Sequence, residues 1–275
     1  MNSENIKNIT NQAIEQLIEA LNAGKSEALT NYLAAVARFH AYSFQNILMI
    51  ARQCPEATRV AGFHAWRSLG RYVKNGEKGI AILAPLVRRK ESAEESEAPT
   101  ESRIFGFRAV YVFDVSQTDG APLPSIGVAQ GEPGAYITRL EQLVREQGIL
   151  LEYSTEIAPA KGMSCGKKII LLPGMAPAEQ FSTLVHELAH EMLHRDARRN
   201  QTTQRVRETE AEAVAFVVNR GIGLDTNSAA QDYISLYSGN TAVLLDSMDH
   251  IQQTASKILD SIGPIGAESL SAPHA

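Results

Sequence analysis

The 275-residue sequence predicts an α+β protein of two domains. Three observations predict it. Apolar residues recur at helical spacing from Ile6 to Ala51, two long β-type runs follow, and beyond a Pro- and Gly-containing stretch near residue 120 the chain returns to short strands and amphipathic helices. Residues 1–120 are read as a helical N-terminal domain with a small antiparallel sheet, residues 121–130 as a linker, and residues 131–275 as a second domain around a histidine-bearing helix.

Taken in order, Ile6, Ile9, Ala13, Leu17 and Leu21 share one helical stripe, Ala28 to Phe39 form a second helix, and Ser43 is placed to cap a third through Phe44, Ile47, Leu48 and Ala51. A short helix around Trp66 ends at Gly70, and Asn75-Gly76 marks a tight turn. Gly79–Arg89 and Ile104–Phe113 read as paired strands. Between them, Lys90–Ser102 is rich in Glu and Ser without apolar periodicity, as expected of a solvated hairpin loop. In the second domain Tyr136–Glu146 reads as a helix, and Leu150–Tyr153 and Lys168–Leu172 as strands. Lys168–Leu172 is expected at a sheet edge, where an extended peptide could add by main-chain hydrogen bonds. Two long helices follow, covered by helices over Ser228–Tyr237 and Thr241–Ile262.

A net charge of −5 excludes a chain that is basic throughout but leaves room for a local basic patch. The two cysteines, Cys54 and Cys165, have neither metal-ligand nor disulfide-framework spacing, and the N-terminus lacks a secretory apolar region, so a reduced, cytoplasmic protein is expected. The longest apolar run, around Ile80–Val87, is broken by Pro85 and falls well short of the roughly 20 residues that span a bilayer, so no membrane role is expected.

The chemistry lies in Phe181-Ser-Thr-Leu-Val-His186-Glu187-Leu-Ala-His190, which contains His-Glu-x-x-His. Phe181, Leu184, Val185, Leu188, Ala189 and Met192 form an apolar stripe, and Pro177 suits the first turn of a helix. Residues at i and i+4 lie one above the other, so His186 and His190 can hold one Zn2+ with Glu187 beside them. Zinc held by two imidazoles and one carboxylate keeps a position for water and lowers its pKa toward about 7, within reach of Glu187 as general base. The third ligand is sought in Arg207-Glu208-Thr-Glu210-Ala-Glu212. Glu210 heads the apolar stripe of Ala213, Val214 and Val217, where a buried carboxylate needs compensation, and is therefore the expected ligand. Glu208 and Glu212 read as a solvated face, and His194 as a packing or supporting residue.

The segment from Phe181 to Val218 resembles the ImmA/IrrE-like zinc metallopeptidases, whose second helix carries Glu-x-x-Ala-Asn-x-Phe, here Glu210-Ala-Glu-Ala213-Val214-Ala-Phe216. The resemblance implies a zincin-like metallopeptidase domain, zinc on His186, His190 and Glu210, and Glu187 as general base. Val214 departs from the family's Asn, so the group that orients one zinc-bound imidazole must come from elsewhere.

Between Arg59 and Lys90 lie Arg59, Arg67, Arg71, Lys74, Lys78, Arg88, Arg89 and Lys90, opposed only by Glu77 and interleaved with Phe63, His64, Trp66 and Tyr72. Single-stranded nucleic-acid sites combine such charge with aromatic faces, although these residues also suit a core and a solvated surface. Val60-Ala-Gly-Phe63-His-Ala-Trp66-Arg-Ser-Leu69-Gly70-Arg-Tyr-Val-Lys74-Asn-Gly76-Glu77-Lys78-Gly79, preceded by Ser43-Phe-Gln-Asn46-Ile-Leu, resembles the ArdC-type antirestriction N-terminal domain. That resemblance implies binding of single-stranded DNA and a metallopeptidase domain downstream. The chemistry of charge and stacking points to Trp66, Arg67, Arg71, Lys74 and Lys78 as DNA contacts.

The expected function is a zinc-dependent peptidase acting on a protein substrate and joined to a domain that binds single-stranded DNA. The rivals are a non-proteolytic DNA-binding antirestriction protein with a structural zinc site and a zinc hydrolase of non-peptide bonds. Tyr233 and Tyr237 could donate to an oxyanion, but helical tyrosines are more often core.

Overall fold

Helices α1 (Ser3–Asn22), α2 (Glu27–Phe39) and α3 (Phe44–Gln53) form where the apolar stripes predict them. The computed structural model describes residues 3–23, 27–89, 102–123, 132–224 and 241–263. The expected helix over Ser228–Tyr237, with Tyr233 and Tyr237, lies outside the described residues, as do nearly all of the Lys90–Ser102 loop and most of the linker. The chain is mixed α+β, as expected, and divides into two compact units. The division is discontinuous. The first unit takes the chain up to Gln16 and Gln45–Leu123, whereas Leu17–Phe44 groups with the later residues rather than with the first 120. The reason is that α2, whose Leu29, Leu33, Ala35 and Val36 are fully buried, packs on a helix of the second unit.

In the first unit β1 (Val60–Gly62), β3 (Ile80–Arg89) and β4 (Ser102–Asp114) form an antiparallel sheet in the order β1-β4-β3. Between β1 and β3 come the short helix α4 (Phe63–Ser68) and β2 (Arg71–Val73), which pairs with β5 (Thr118–Gly120). These three-residue strands carry too little periodicity to be read from sequence. The free edge of β3 is closed by side chains. The Asn46 amide donates to Leu83 O and accepts from Leu83 N, at 2.8 and 2.9 Å, and the Gln53 amide pairs in the same way with Ala81, at 2.9 and 3.0 Å. Pro85, next in phase along that edge, has no N–H to offer, so α3 leaves little of β3 open to another strand.

Asp114 ends β4 and joins this unit together. Its buried carboxylate accepts from the backbone N–H groups of Thr58, Arg59 and Ser116 at 2.8–3.0 Å and from the Ser116 hydroxyl at 2.6 Å. Burial alone would raise its pKa, but these hydrogen bonds outweigh burial and hold it below the usual carboxylate value. Asp114→Asn is expected to lower the stability of the unit by about 1.5–3 kcal/mol, seen as a lower urea midpoint. A depressed folded pKa stabilises above the unfolded value, so the wild-type contribution is complete above about pH 4 and is lost as pH falls through the folded value. The variant should lack that segment of the acid-unfolding curve.

The second unit contains α5 (Ala135–Glu146), β6 (Leu150–Tyr153), β7 (Gly162–Ser164) and β8 (Lys168–Leu171), then α6 (Pro177–Leu193), α7 (Asp196–Gln201), α8 (Gln204–Gly221) and α9 (Thr241–Ile262). The sheet order is β6-β8-β7, with β6 parallel and β7 antiparallel to β8. The expectation that Lys168–Leu172 forms the edge is corrected: β8 is central, with Ile169 and Leu171 fully buried, and β7 is the edge. β7 is a short Gly-Met-Ser run without the alternation that marks a strand. Helix α8 is packed by α2, α6 and α9. No helix among the described residues is long and apolar enough to cross a membrane.

Candidate metal centre and nucleic-acid surface

Pro177 opens α6, and the buried stripe of Phe181, Leu184, Val185 and Leu188 seats that helix on the core, which turns His186 and His190 toward α8. Thr203 caps α8, its hydroxyl accepting from Val206 N at 3.2 Å. The Nε2 atoms of His186 and His190 are 3.1 Å apart, and Glu208 Oε2 lies 3.6 and 3.4 Å from them. Metal–ligand distances of about 2.0–2.2 Å in a tetrahedral site correspond to donor separations of about 3.3–3.6 Å, so this triangle fits one divalent ion.

Glu210 is placed elsewhere. Two residues along a helix turn the side chain to the far side, and there Glu210, fully buried, lies 2.9 Å from His194 Nε2 and accepts from Arg198 Nη2 at 2.7 Å. A buried carboxylate needs compensation, and for Glu210 it comes from Arg198 on α7 and from His194. Glu208 read as solvated because its side chain is 55% exposed, as a ligand on the open side of a site can be. Glu208 and Glu212 are one turn apart, as are His186 and His190, and that matched spacing was the available sequence signal. Glu212 Oε2 lies 3.4 Å from His186 Nδ1, so Glu212 supports that ring where Val214 cannot. Val214 is buried in the core.

The electrostatics favour positive charge at the triangle. At His186, burial disfavours the proton, but the Glu208 and Glu212 carboxylates outweigh it and raise the pKa to about 9. Burial and the neighbouring His186 charge lower His190 to about 4. The hydrogen bond to His186 brings Glu208 down to about 2. Glu187 is raised, first by burial, while the backbone N–H of Ser164 on β7 opposes the shift. β7 can lie this close because residue 162 is glycine: a Cβ there would stand 2.7 Å from Glu187 Oε1 and from Thr183 Cγ2. Glu191, buried on the same helix, fixes the turn after β7 by accepting from the Ser164 hydroxyl and from the Gly166 and Lys167 N–H groups at 2.7–2.8 Å.

The residues expected to contact DNA divide. Trp66 is fully buried and donates Nε1–H to Phe113 O at 2.8 Å, so its ring faces the core and is not available for stacking. Arg71 is occupied in joining β2 to β5, donating to the Thr118 hydroxyl at 2.8 Å and to the carbonyls of Thr118 and Ala121 at 2.9 and 2.5 Å. Lys74 donates to Ser116 O at 2.8 Å. Arg67 and Lys78 are exposed. Among the described residues of the first unit the exposed aromatic rings are Phe63, Tyr72, Phe105, Phe107 and Tyr111, each 45–64% exposed. Phe107 and Tyr111 share a face of β4, and Phe105 is set in the irregularity opposite Leu86/Val87. Alternation places the three rings of β4 in a strand but does not tell which part of a strand the helices leave uncovered.

Residues 3–113 match the family model described as the N-terminal domain of anti-restriction factor ArdC. An uncharacterized protein of Bacillus anthracis is 22% identical over 94% of this chain, which spans about half, 51%, of that relative's length. Two crystal structures of the antirestriction ArdC protein from plasmid R388, one metal-free and one Mn(II)-bound, align with TM-scores of 0.52 at 18% and 17% identity. They cover 92% and 93% of this chain and 97% and 98% of their own. At that identity the likeness shows a common fold. The chain thus carries a region that matches the ArdC N-terminal domain and is ArdC-like in fold over most of its length.

Proposed function

We propose that this chain is an antirestriction protein in which a divalent-metal peptidase centre, zincin-like and akin to the ImmA/IrrE peptidases, is joined to a domain that binds single-stranded DNA. One observation carries the hydrolase reading: two imidazole nitrogens and a carboxylate oxygen converge at 3.1–3.6 Å with Glu187 adjacent to His186 on the same helix. His186, His190 and Glu208 would hold the ion. Two histidines and a carboxylate suit Zn2+, and the donor set also accommodates the Mn2+ held by the ArdC relative. When bound, the ion supplies Lewis acidity that acidifies water and polarises a carbonyl. Glu187 takes the proton and returns it to the leaving amine. The Ser164 N–H steadies the Glu187 carboxylate, and the outer edge of β7 offers main-chain groups to an extended peptide beside α6. For the DNA half, Phe107 and Tyr111 with Phe105 supply stacking faces, and Arg67, Lys78 and Arg108 supply exposed charge.

The test is metal content together with cleavage of a mixed proteome by the purified chain and by Glu208→Ala, each with and without single-stranded DNA. Wild type should hold one ion and create new peptide termini. Glu208→Ala should lose more than the roughly 10–100-fold in metal affinity that residues behind the ligands cost, and all cleavage with it. A stoichiometric ion with no new termini under either condition would sink the peptidase.

A second reading is favoured by the burial of Glu187, 8% exposed beneath β7: a metal that only braces the fold, with protection coming from coating single strands. On that reading Glu187→Gln keeps restriction protection, and loss of the exposed rings and charges removes it.

A further inference from the structure

Three histidines stand four residues apart, His186 and His190 on α6 and His194 at its C-cap, and the middle one uses both ring nitrogens. Its Nε2 faces His186 Nε2 at 3.1 Å, and its Nδ1 faces His194 Nδ1 at 3.0 Å. Beyond His194 the contacts continue to Glu210, then to Arg198, which also donates to Asp246 Oδ2 at 2.7 Å. The side chains of His194 and Glu210 have no exposed surface.

We propose that His194 and Glu210 are positioning residues for His190, holding its ring with Nδ1 protonated and the bare Nε2 turned toward His186 and Glu208. The proposal rests on the metal-centre reading. Its logic is one of hydrogen-bond polarity. Glu210, paired with Arg198, can only accept, so the Nε2 of His194 carries a proton and donates. Arg198 already pairs with the Glu210 charge, and with its single proton on Nε2 His194 has a bare Nδ1, which can only accept. The proton between the two Nδ1 atoms must therefore belong to His190, and the opposite nitrogen of that ring is left with its lone pair free for a metal. The anion on α8 sets the tautomer of a ring it does not touch. His186 is served differently, by direct approach of Glu212 Oε2 to its Nδ1 at 3.4 Å. Glu210 thus keeps a part in the centre without being a ligand.

A purely structural role for the Glu210–Arg198 pair would stabilise the fold and leave the His190 tautomer unspecified. The tautomer is read directly by long-range 1H–15N correlation on the full chain labelled at histidine, before and after addition of Zn2+. The expected pattern in the metal-free protein is His190 protonated at Nδ1 and His194 at Nε2. A proton on His190 Nε2 would overturn the proposal. The second measurement is Zn2+ affinity by chelator competition. His194→Leu keeps bulk but offers no acceptor and should weaken binding about 10–100-fold, whereas His194→Gln, whose side-chain oxygen can accept from His190, should stay close to wild type. Wild-type affinity in His194→Leu would overturn the proposal as well. If His194→Leu does not fold, the tautomer measurement decides alone. Failure of the metal-centre reading is distinct: wild type and Glu208→Ala would then be equally poor at binding Zn2+, while the tautomer pattern still decides the polarity of the chain.

Discussion

Glu187→Gln is expected to lower peptide hydrolysis by about 10²- to 10⁴-fold, the usual share of a general base, with metal content unchanged. Glu187 is not among the three groups whose donor atoms converge, so the ion would remain held. The amide is nearly isosteric, which matters because β7 lies against this side chain with no room for a Cβ at Gly162, and the amide oxygen can still accept from the Ser164 N–H. What is lost is the capacity to take up a proton and return it. Measuring termini produced by wild type and variant at equal zinc occupancy checks this, and undiminished cleavage would remove Glu187 from the mechanism.

Trp66→Ala is expected to cost the first unit about 3–5 kcal/mol, the range for truncating a large buried aromatic side chain. The loss combines a cavity with the loss of the hydrogen bond from Trp66 Nε1–H to the Phe113 carbonyl. Single-stranded DNA binding should fall only in proportion to the unfolded fraction seen by circular dichroism and chemical denaturation. Phe107→Ala should do the reverse. This half-exposed ring can be removed within about 0.5 kcal/mol of wild-type stability, while each stacked base lost weakens DNA binding by about 1–3 kcal/mol. A Trp66→Ala protein that stays folded yet loses DNA would return the indole to the binding surface.

The long helices, the β3–β4 hairpin and the metal helix were legible in the sequence because each carries a sustained period: Thr241–Ile262 and Lys168–Leu171 fall where the pattern puts them. What was not legible is what depends on partners distant in sequence. Glu208, Glu210 and Glu212 are alike as residues, and which of them meets His190, His194 or Arg198 is set by how α8 is rotated against α6 and α7. Trp66 illustrates the same point, since a tryptophan amid basic residues is equally a stacking platform or a core anchor until the Phe113 carbonyl is found beneath it. β7 escaped because three residues with a glycine at their head carry no period, although Gly162 is what lets the strand approach Glu187.

The grouping of Leu17–Phe44 with the second unit bears on how the chain is made. About 165 residues separate the end of α2 from the start of α8, and at the usual 5–20 residues per second α2 leaves the ribosome roughly 10–30 s before its partner exists. Throughout that interval its Leu29, Leu33 and Val36 have no α8 against which to bury. The nascent chain is then most open to chaperone capture and to self-association. A gene cut near codon 120 would make that condition permanent in the N-terminal fragment, and would leave the C-terminal fragment without one of the three helices that pack on α8.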